Sequence, residues 1–508
     1  MLGKKELSPQ LFYQAFDLNT LVPPGSFYRE LKSSVDLSFV RPLVRDLEIY
    51  GNCGQKSIDP EVFFKLQLVG YLENLTSDRK LIELSTQHLG IRYFLNYDLN
   101  EPLPYHSTIS RTRHLYPEAI FRRVFEQILV QCVESGLVAG HSQLIDSSLI
   151  SANASLNSLQ RRKPLFEVTD YLDEVKQSNE GCRVEQVEQS KDADRSDPPA
   201  ADLRFTHKKN PAKGGSPKGR RPRVNNKDYT SPVDPDARIA MKPSAPSNMY
   251  YHSQLAVDSS YHVITHIEAD HADHMDSQAL PGLINRMRTT LDRCGLRLEA
   301  IAADSNYSSG ANYAWCEGRG IEAYIPLSSA FKDPPAGFSY DPEKDVFICP
   351  NAKLLHYCGM GGDKKDLRIY ASNASECKGC PLASQCLNYQ RKERRRILMQ
   401  EDFAAVKRAG DRYLSSRGRE MMRWRKSRVE PAFGTLKTYM GMRRIRSRGL
   451  LGATKEMIMA ATAYNLLKYL RKKTGKGLSG PQNWLRSTWM RIEQSLLHSA
   501  NKNLFPVN

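Results

Sequence analysis

Apolar residues recur at helical spacing through the first part of the chain. Phe63, Phe64, Leu68, Tyr71 and Leu72 follow Asp59–Pro60, an N-cap with proline in the first turn. A second start lies at Ser77, with Leu81 and Leu84 on one face. Pro117 opens a third helix whose stripe is Ile120, Val124, Ile128 and Cys132, ending near Gly136. Between them lies the basic, hydroxyl-rich stretch His106–His114, which holds Arg111 and Arg113. Short helices with such a member fit a helix-turn-helix that reads duplex DNA, with those two arginines as contacts. A plain helical bundle with a polar turn fits the same pattern.

The period changes at residues 142–151, where Leu144, Asp146 and Ser148 alternate with Ile145, Ser147 and Leu149, which predicts a strand. Residues 250–258 and 261–268 predict two more strands, and 276–291 a helix with Leu280, Leu283, Ile284, Met287 and Leu291 on one side. Leu298–Ala303 is a short apolar strand ending at Asp304. A helix near 309–318 and a strand at 321–325 follow, so the order predicts a mixed α/β sheet. Two segments break this rhythm. Residues 156–235 are polar, and Arg204 to Lys227 carries nine Lys/Arg and no acid. Such a stretch cannot bury enough apolar surface to order itself. It is expected to be a mobile basic arm that meets phosphate, with Arg220 and Arg221 among its contacts. Residues 327–400 hold five of the ten cysteines. A strongly basic helix is predicted over 414–438 and an apolar-faced one over 454–471.

The expected organisation is therefore an all-α N-terminal DNA-binding domain (1–137), the first part of an α/β catalytic domain (138–326), a cysteine-rich insert (327–400), the second part of the catalytic domain (401–475) and a tail (476–508). The 508 residues suit about three domains, and 73 Lys/Arg against 56 Asp/Glu give a net charge of +17. A polyanionic partner accounts for that excess, because basic faces displace condensed counterions from nucleic acid; a merely basic soluble protein is the bland alternative. No apolar run follows Lys4 and Lys5, and the uncharged stretch Met457–Leu467 is too short to span a bilayer. The expectation is a cytoplasmic, nucleoid-associated protein without membrane attachment, with cysteines present as thiols or metal ligands.

Three acids point to chemistry. Asp146 lies mid-strand among apolar residues, where a carboxylate is costly unless it pairs or binds a cation. Asp304 ends a second apolar strand, where open α/β sheets place ligand-binding groups. Glu430 lies in the basic helix among Arg417, Arg423, Arg425, Lys426, Arg428 and Lys437. Three carboxylates suit two Mg²⁺ ions, which can activate water or a 3′ hydroxyl in phosphodiester displacement. The surrounding cations suit backbone phosphate, with Arg423, Arg425, Lys426, Arg428 and Lys437 as contacts. Cys377-Lys378-Gly379-Cys380, with Cys386 and Cys349, has the makings of one closed structural zinc site, with His356 and Cys358 as spare candidates.

The segments Ile145–Ser155, Ala303–Tyr307 and Arg428–Lys437 resemble the three catalytic blocks of DDE transposases. Asp234–Arg238 and His106–Arg111 also resemble stretches of the insertion-sequence group with a helical N-terminal domain and a cysteine-rich insert. The resemblance covers residues 40 to 470. It implies a ribonuclease H-like catalytic fold split by an insert, dependence on Mg²⁺ (or Mn²⁺), and Asp146, Asp304 and Glu430 as metal ligands. It also implies double-stranded DNA as partner, both the terminal inverted repeats and the target, and a homodimer in the DNA complex. Related transposases carry Tyr, Arg, Glu and Lys three, four and seven residues apart; here Arg423 stands at the Tyr place and Lys426 at the Arg place, with Glu430 and Lys437 matching. Lysine meets phosphate as a point charge, without the bidentate fork of arginine. Two other readings remain open: a nuclease or recombinase of the same fold that does not transfer strands, and a catalytically silent DNA-binding descendant of a transposase.

Overall fold

The computed structural model describes residues 17–50, 56–162, 224–241, 246–328, 331, 334–361, 367–387, 393–400 and 402–475. Most of the basic arm, including Arg220 and Arg221, lies outside the described residues.

The chain is mixed α/β with a helical N-terminal region. That region comprises α1 (Leu18–Leu21), α2 (Phe27–Ser34), α3 (Val40–Arg45), α4 (Pro60–Leu72), α5 (Asp78–Gln87), α6 (Leu89–Leu95), α7 (His106–Leu115) and α8 (Glu118–Glu134). The Asp59 carboxylate caps α4 by accepting from the Glu61 amide, and the Ser77 hydroxyl accepts from the Lys80 amide at the start of α5. α4 is buried almost all round, so it forms the centre of this region and not an amphipathic surface helix.

Strands follow: β1 (Ser142–Ser151), the short pair β2 (Gln160–Arg161) and β3 (Tyr229–Thr230), then β4 (Arg238–Ala240), β5 (Asn248–Asp258) and β6 (Ile264–His271). After α9 (Asp276–Arg293) come β7 (Ala300–Ala302), α10 (Gly310–Glu317) and β8 (Glu322–Tyr324). The main sheet has β1 near its centre. On one side β1 runs antiparallel to β5, from Gln143 opposite Asp258 to Ser151 opposite Tyr250. The other edge of β5 carries β6 and, at its start, β4. On the opposite side of β1, β7 and then β8 run parallel to it. Covered on both faces, β1 sends Leu144 and Ile150 into one core and Ile145 into another.

The first core is continuous from the N-terminal helices through this face of the sheet to the last helices. The second lies between the opposite face and α9, α10 and part of α13 (Phe403–Leu414). α14 (Ser416–Tyr439) crosses the first face near β1, burying Met421, Val429, Ala432 and Leu436. α15 (Leu450–Thr474) is buried along most of its length against α8 and β6. Its start explains the Asp234-Pro235-Asp236 stretch: the Gly449 amide donates to Asp234 Oδ1 at 3.0 Å and the Leu450 amide to Asp236 Oδ2 at 2.9 Å. Two carboxylates thus satisfy amides at the positive end of a 25-residue helix.

The cysteine-rich stretch holds more regular structure than its sequence suggests. β9 (Ser339–Asp341), β10 (Val346–Ile348), β11 (Leu354–Gly361), β12 (Leu367–Ala371) and β13 (Arg396–Gln400) form an antiparallel meander over a small core of Phe347, Leu355, Tyr370, Ile397, Met399 and Phe403. Two single-turn helices, α11 (Ala374–Cys377) and α12 (Ala383–Cys386), connect β12 to β13. The basic helix expected over 414–438 is α14, whose start is capped by the Ser415 hydroxyl accepting from the Gly418 amide, and α13, which ends just before it, is a further helix that the pattern did not mark.

Candidate active site

Asp146 and Asp304 meet although 158 positions separate them. Asp146 sits in the middle of β1. Asp304 follows β7, the neighbouring parallel strand, and its carboxylate caps a short turn by accepting from the Asn306 amide at 3.0 Å. Adjacent parallel strands bring their C-terminal halves to the same side of the sheet, so the two acids converge. Arg425 reaches down from α14 between them, with Nη1 3.5 Å from Asp146 Oδ2 and Nη2 3.7 Å from Asp304 Oδ2. Its Nε is buried without an acceptor.

Electrostatics follow from burial. Desolvation pushes the Asp146 carboxyl up to about 6, against the pull of Arg425 and the Ser147 amide, with Asp304 and Asp276 adding like-charge repulsion. Burial also raises Asp304, with Arg425 again opposing. The site therefore concentrates carboxylates that need a cation, and the guanidinium supplies one.

Asp276 is a fourth acid that sequence reasoning passed over. It is buried at the first turn of α9, accepts from the Ser147 hydroxyl and from Gln254 Nε2, both at 3.0 Å, and lies 3.6 Å from His252 Nε2. Gln254 Oε1 in turn accepts from the Tyr307 hydroxyl at 2.5 Å. A polar network thus links β1, which carries Asp146, and its neighbour β5 to Asp276 and to Tyr307 in the turn capped by Asp304. An acid at the start of a helix reads as a cap, which hid it; its signal was position, directly after β6.

Glu430 is exposed on α14, five residues beyond Arg425, and makes no hydrogen bond or ion pair among the described residues. It is not drawn into the Asp146–Asp304 pair. Among the described residues, no three His, Cys, Asp or Glu side chains stand close enough together to hold a metal ion as they are oriented.

The cations divide into engaged and open groups. Arg113 was expected to contact DNA, but it is buried: it donates to both Asp78 carboxylate oxygens, at 2.7 and 3.1 Å, and to Gln67 Oε1 at 3.2 Å. Its place one turn after Ile109 puts it on the inward face of α7, so it ties helices together and is corrected from interface to core. Arg111 is exposed on the same helix and contacts only Ser107. Arg423 and Lys426 are exposed on α14. Arg428 and Arg417 lie over the Trp424 ring at 4.6 and 4.8 Å, which fixes Trp424 between two cations. Lys437 hydrogen-bonds the Ser148 hydroxyl, two residues along β1 from Asp146.

In the insert, Cys349, Cys377, Cys380 and Cys386 all line one cavity of about 40 Å³. Three of the sulfurs have close polar neighbours: the Lys353 amide donates to Cys349 Sγ at 3.4 Å, Asn351 Nδ2 to Cys380 Sγ at 3.6 Å, and Ser372 Oγ lies 3.0 Å from Cys377 Sγ. Burial raises the Cys386 thiol, and the other three sulfurs add to that shift, so all four share one neighbourhood. His356 and Cys358 do not line this cavity. Among the described residues no helix is long and apolar enough to cross a membrane.

Two family models match the chain. One, described as Transposase domain (DUF772), matches residues 16–115; the other, Transposase DDE domain, matches residues 348–470. The second includes Glu430, Lys437 and the four clustered cysteines, whereas Asp146 and Asp304 fall between the two matches. No curated protein matches. Among solved structures, the cryo-EM structure of a piggyBac transposase synaptic complex with hairpin DNA is similar at 10% identity and a TM-score of 0.29, covering 94% of this chain and 80% of that one.

Proposed function

We propose that this chain is a DDE transposase of the insertion-sequence type, which binds the terminal inverted repeats of its element and catalyses metal-dependent DNA cleavage and strand transfer; the two transposase-domain matches support the family reading. The carrying observation is the convergence of Asp146 and Asp304 from adjacent parallel strands onto the Arg425 guanidinium. The central β1, with an antiparallel hairpin on one side and parallel strands on the other, supports the ribonuclease H-like reading of the catalytic domain.

The donor set fits a hard divalent cation. Asp146 and Asp304 are oxygen ligands with raised proton affinity, held by burial and compensated by a single side-chain charge. Asp146 and Asp304, joined by Glu430 once α14 brings it toward them, are the residues that would hold Mg²⁺ or Mn²⁺, which would supply activation of the attacking oxygen and stabilisation of the leaving one. The chain's own residues do the remaining work. Asp276 braces the strand that carries Asp146 through Ser147 and its antiparallel neighbour β5 through Gln254, which also holds Tyr307 in the turn capped by Asp304. Arg425 neutralises the pair and, displaced from it, can turn its fork to a phosphate. Arg423, Lys426 and Arg428 line the same helix for backbone contact, with Arg111 on α7 and Arg220 and Arg221 of the arm as further contacts. Cys349, Cys377, Cys380 and Cys386, which line one cavity, are the residues that would hold one tetrahedral zinc once their sulfurs draw together, with the Lys353 amide and Asn351 as donors to two of them, a structural centre for the insert. The DNA complex is read as a homodimer acting at the nucleoid.

The test is a strand-transfer reaction with purified protein, a duplex bearing the element's end, a target plasmid and Mg²⁺. Joined products are expected from the wild type and none from Asp146→Asn, which should still bind the duplex. Cleavage without joining would reduce the activity to hydrolysis. Unimpaired joining by Asp146→Asn would remove the acid pair from the chemistry.

A further inference from the structure

A polar concavity lies by the end of β1, and Lys437, which lines it, bonds Ser148 two residues from Asp146. It is an open pocket of about 730 Å³, within the range of about 300–1,000 Å³ usual for ligand sites, and it is bounded by Asn74, Thr76, Asn153, Lys437, Arg443 and Arg444 among others. No carboxylate lines it among the described residues.

Its two walls come from distant parts of the chain and are held rigidly. The loop after α14 runs as an extra strand beside the end of β1: the Ser151 amide donates to the Arg443 carbonyl at 3.3 Å, the Ile445 amide to the Ser151 carbonyl at 2.8 Å, and Asn153 Nδ2 to the Arg446 carbonyl at 2.6 Å. The turn between α4 and α5 closes the other side, with Asn74 Nδ2 donating to the Thr438 carbonyl at 3.2 Å. Gly441 has φ +66°, and a Cβ there would come within 3.3 Å of Thr76 Cγ2, so the walls meet where a side chain would crowd them.

The chemistry of the lining is that of a phosphodiester site. Arg443 and Arg444 are exposed, and their side chains contact only neutral oxygens, Thr438 Oγ1 at 3.5 Å and Asn153 Oδ1 at 3.3 Å. A guanidinium with no anion, fixed by backbone on a sheet edge, is preorganised for one. Hydroxyls and amides from Thr76, Thr438, Asn74 and Asn153 complete a lining suited to sugar and phosphate oxygens. Lys437 joins this pocket to Ser148 on the strand that carries Asp146.

We infer that this pocket binds the DNA sugar–phosphate backbone next to the reacting phosphodiester, gripping it between the N-terminal helical region and the catalytic strand. The inference rests on the DNA-processing reading above and adds a site that couples end recognition to the acid pair: one backbone segment would touch both regions.

The test uses the full chain and a fluorescently labelled duplex carrying the element's terminal sequence, titrated by anisotropy over a series of salt concentrations. Removing one cation that meets a phosphate lowers the slope of log affinity against log salt by about 0.9. Replacing Arg443 and Arg444 together by alanine should lower the slope by about 2 and weaken binding at least about tenfold at moderate salt. The pair Asn74→Asp and Thr76→Glu, which places carboxylates on the opposite wall, should weaken binding without touching either arginine. Arg288→Ala, outside the pocket, should leave affinity and slope as they were. Hydrogen exchange should show protection of residues 74–76 and 441–446 on adding the duplex. Wild-type affinity and slope in both pocket variants, or an absence of protection there, overturns the inference. So does a loss confined to an RNA duplex of the same sequence. Asp146→Asn separates the two readings: an intact slope with no cleavage supports both, whereas weakened pocket variants with wild-type cleavage by Asp146→Asn overturn the catalytic reading and leave the pocket standing.

Discussion

Glu456→Gln should destabilise the junction between the helical region and the catalytic sheet by about 3–5 kcal/mol, the usual cost of breaking a buried ion pair. Glu456 lies on α15 with only 4% of its surface exposed. It accepts from the Arg446 amide at 3.0 Å, the Ser447 amide at 2.7 Å and the Ser447 hydroxyl at 2.6 Å, and stands 3.5 Å from Arg446 Nε. Glutamine keeps one acceptor oxygen and turns an NH₂ toward groups that are already donors, so at least one amide loses its partner, at about 1–3 kcal/mol. The rest comes from charge. Arg446 lies over the Tyr71 ring and 3.9 Å from Asp78, whose carboxylate is already forked by Arg113. Without Glu456, two guanidiniums share one carboxylate. Burial pushes the Glu456 carboxyl up, but Arg446, Arg113 and the hydrogen bonds outweigh it and hold it below its ordinary value near 4.5. A depressed pKa means that the contribution is present above that ordinary value and is lost as pH falls through the folded one. The wild type should therefore lose stability on acidification in a range where Glu456→Gln is insensitive. A chain of this size need not unfold in two states, so the readout is amide exchange at Arg446, Ser447 and α7, alongside urea melts. A variant within about 1 kcal/mol of wild type, with unchanged exchange at those amides, would refute the assignment of Glu456 as the keystone of this junction.

Four further outcomes are expected. Asp234→Ala should cost about 1–2 kcal/mol, because it removes an acceptor from the Gly449 amide and from the Tyr251 hydroxyl, 2.5 Å away; thermal melts check it. Purified protein should carry about one zinc per chain by metal analysis, and Cys380→Ser should make the insert protease-sensitive, since binding and folding of such centres are linked. Replacing Lys208, Lys209, Arg220, Arg221 and Arg223 by alanine should weaken binding to all duplexes alike and flatten the salt dependence, whereas a loss of preference for the element's own ends would make the arm a sequence reader. Asp276→Asn should lower the affinity for Mn²⁺ measured by calorimetry while leaving duplex binding intact, and unchanged metal affinity would remove it from the support of the acid pair.

The parts of this molecule that were legible in its sequence are those in which local pattern and tertiary burial agree. The alternation through Leu144–Leu149 and the apolar run before Asp304 marked two strands, and a carboxylate amid such residues marked each acid. Their mutual approach could not be read from spacing; it needs β7 to lie parallel to β1, which no local signal records. The insert was opaque for a different reason. Its strands are mostly three to five residues long, and the longest, β11, is largely exposed and contains Gly359 and Gly361, so neither length nor alternation announces a sheet. The start of α14 was legible from its run of basic residues, whereas the short helix α13 before it, which buries Phe403, Ala405, Val406 and Ala409, was not marked.

Charge was the most ambiguous signal, and the structure shows why. Lys and Arg report an anionic partner without saying whether it is solvent-borne or internal. Arg113 and Arg446 satisfy one another's carboxylates in the interior, Arg425 serves Asp146 and Asp304, and Arg408 and Arg412 both reach Glu317. Arg443 and Arg444, only a few positions from Arg446, have no such partner among the described residues. The distinction lies in which way the backbone turns, a consequence of the bridge to Ser151 and not of composition. Net charge points to an anionic partner, but only after the internal pairs are removed does the remaining charge mark where it would bind. Those open cations lie along α14 and the loop that follows it, and α14 also brings Arg425 and Lys437 onto β1. On the proposed reading, α14 would join the binding cations to the acid pair that Arg425 bridges, and a substitution that shifts α14 should alter binding and chemistry together.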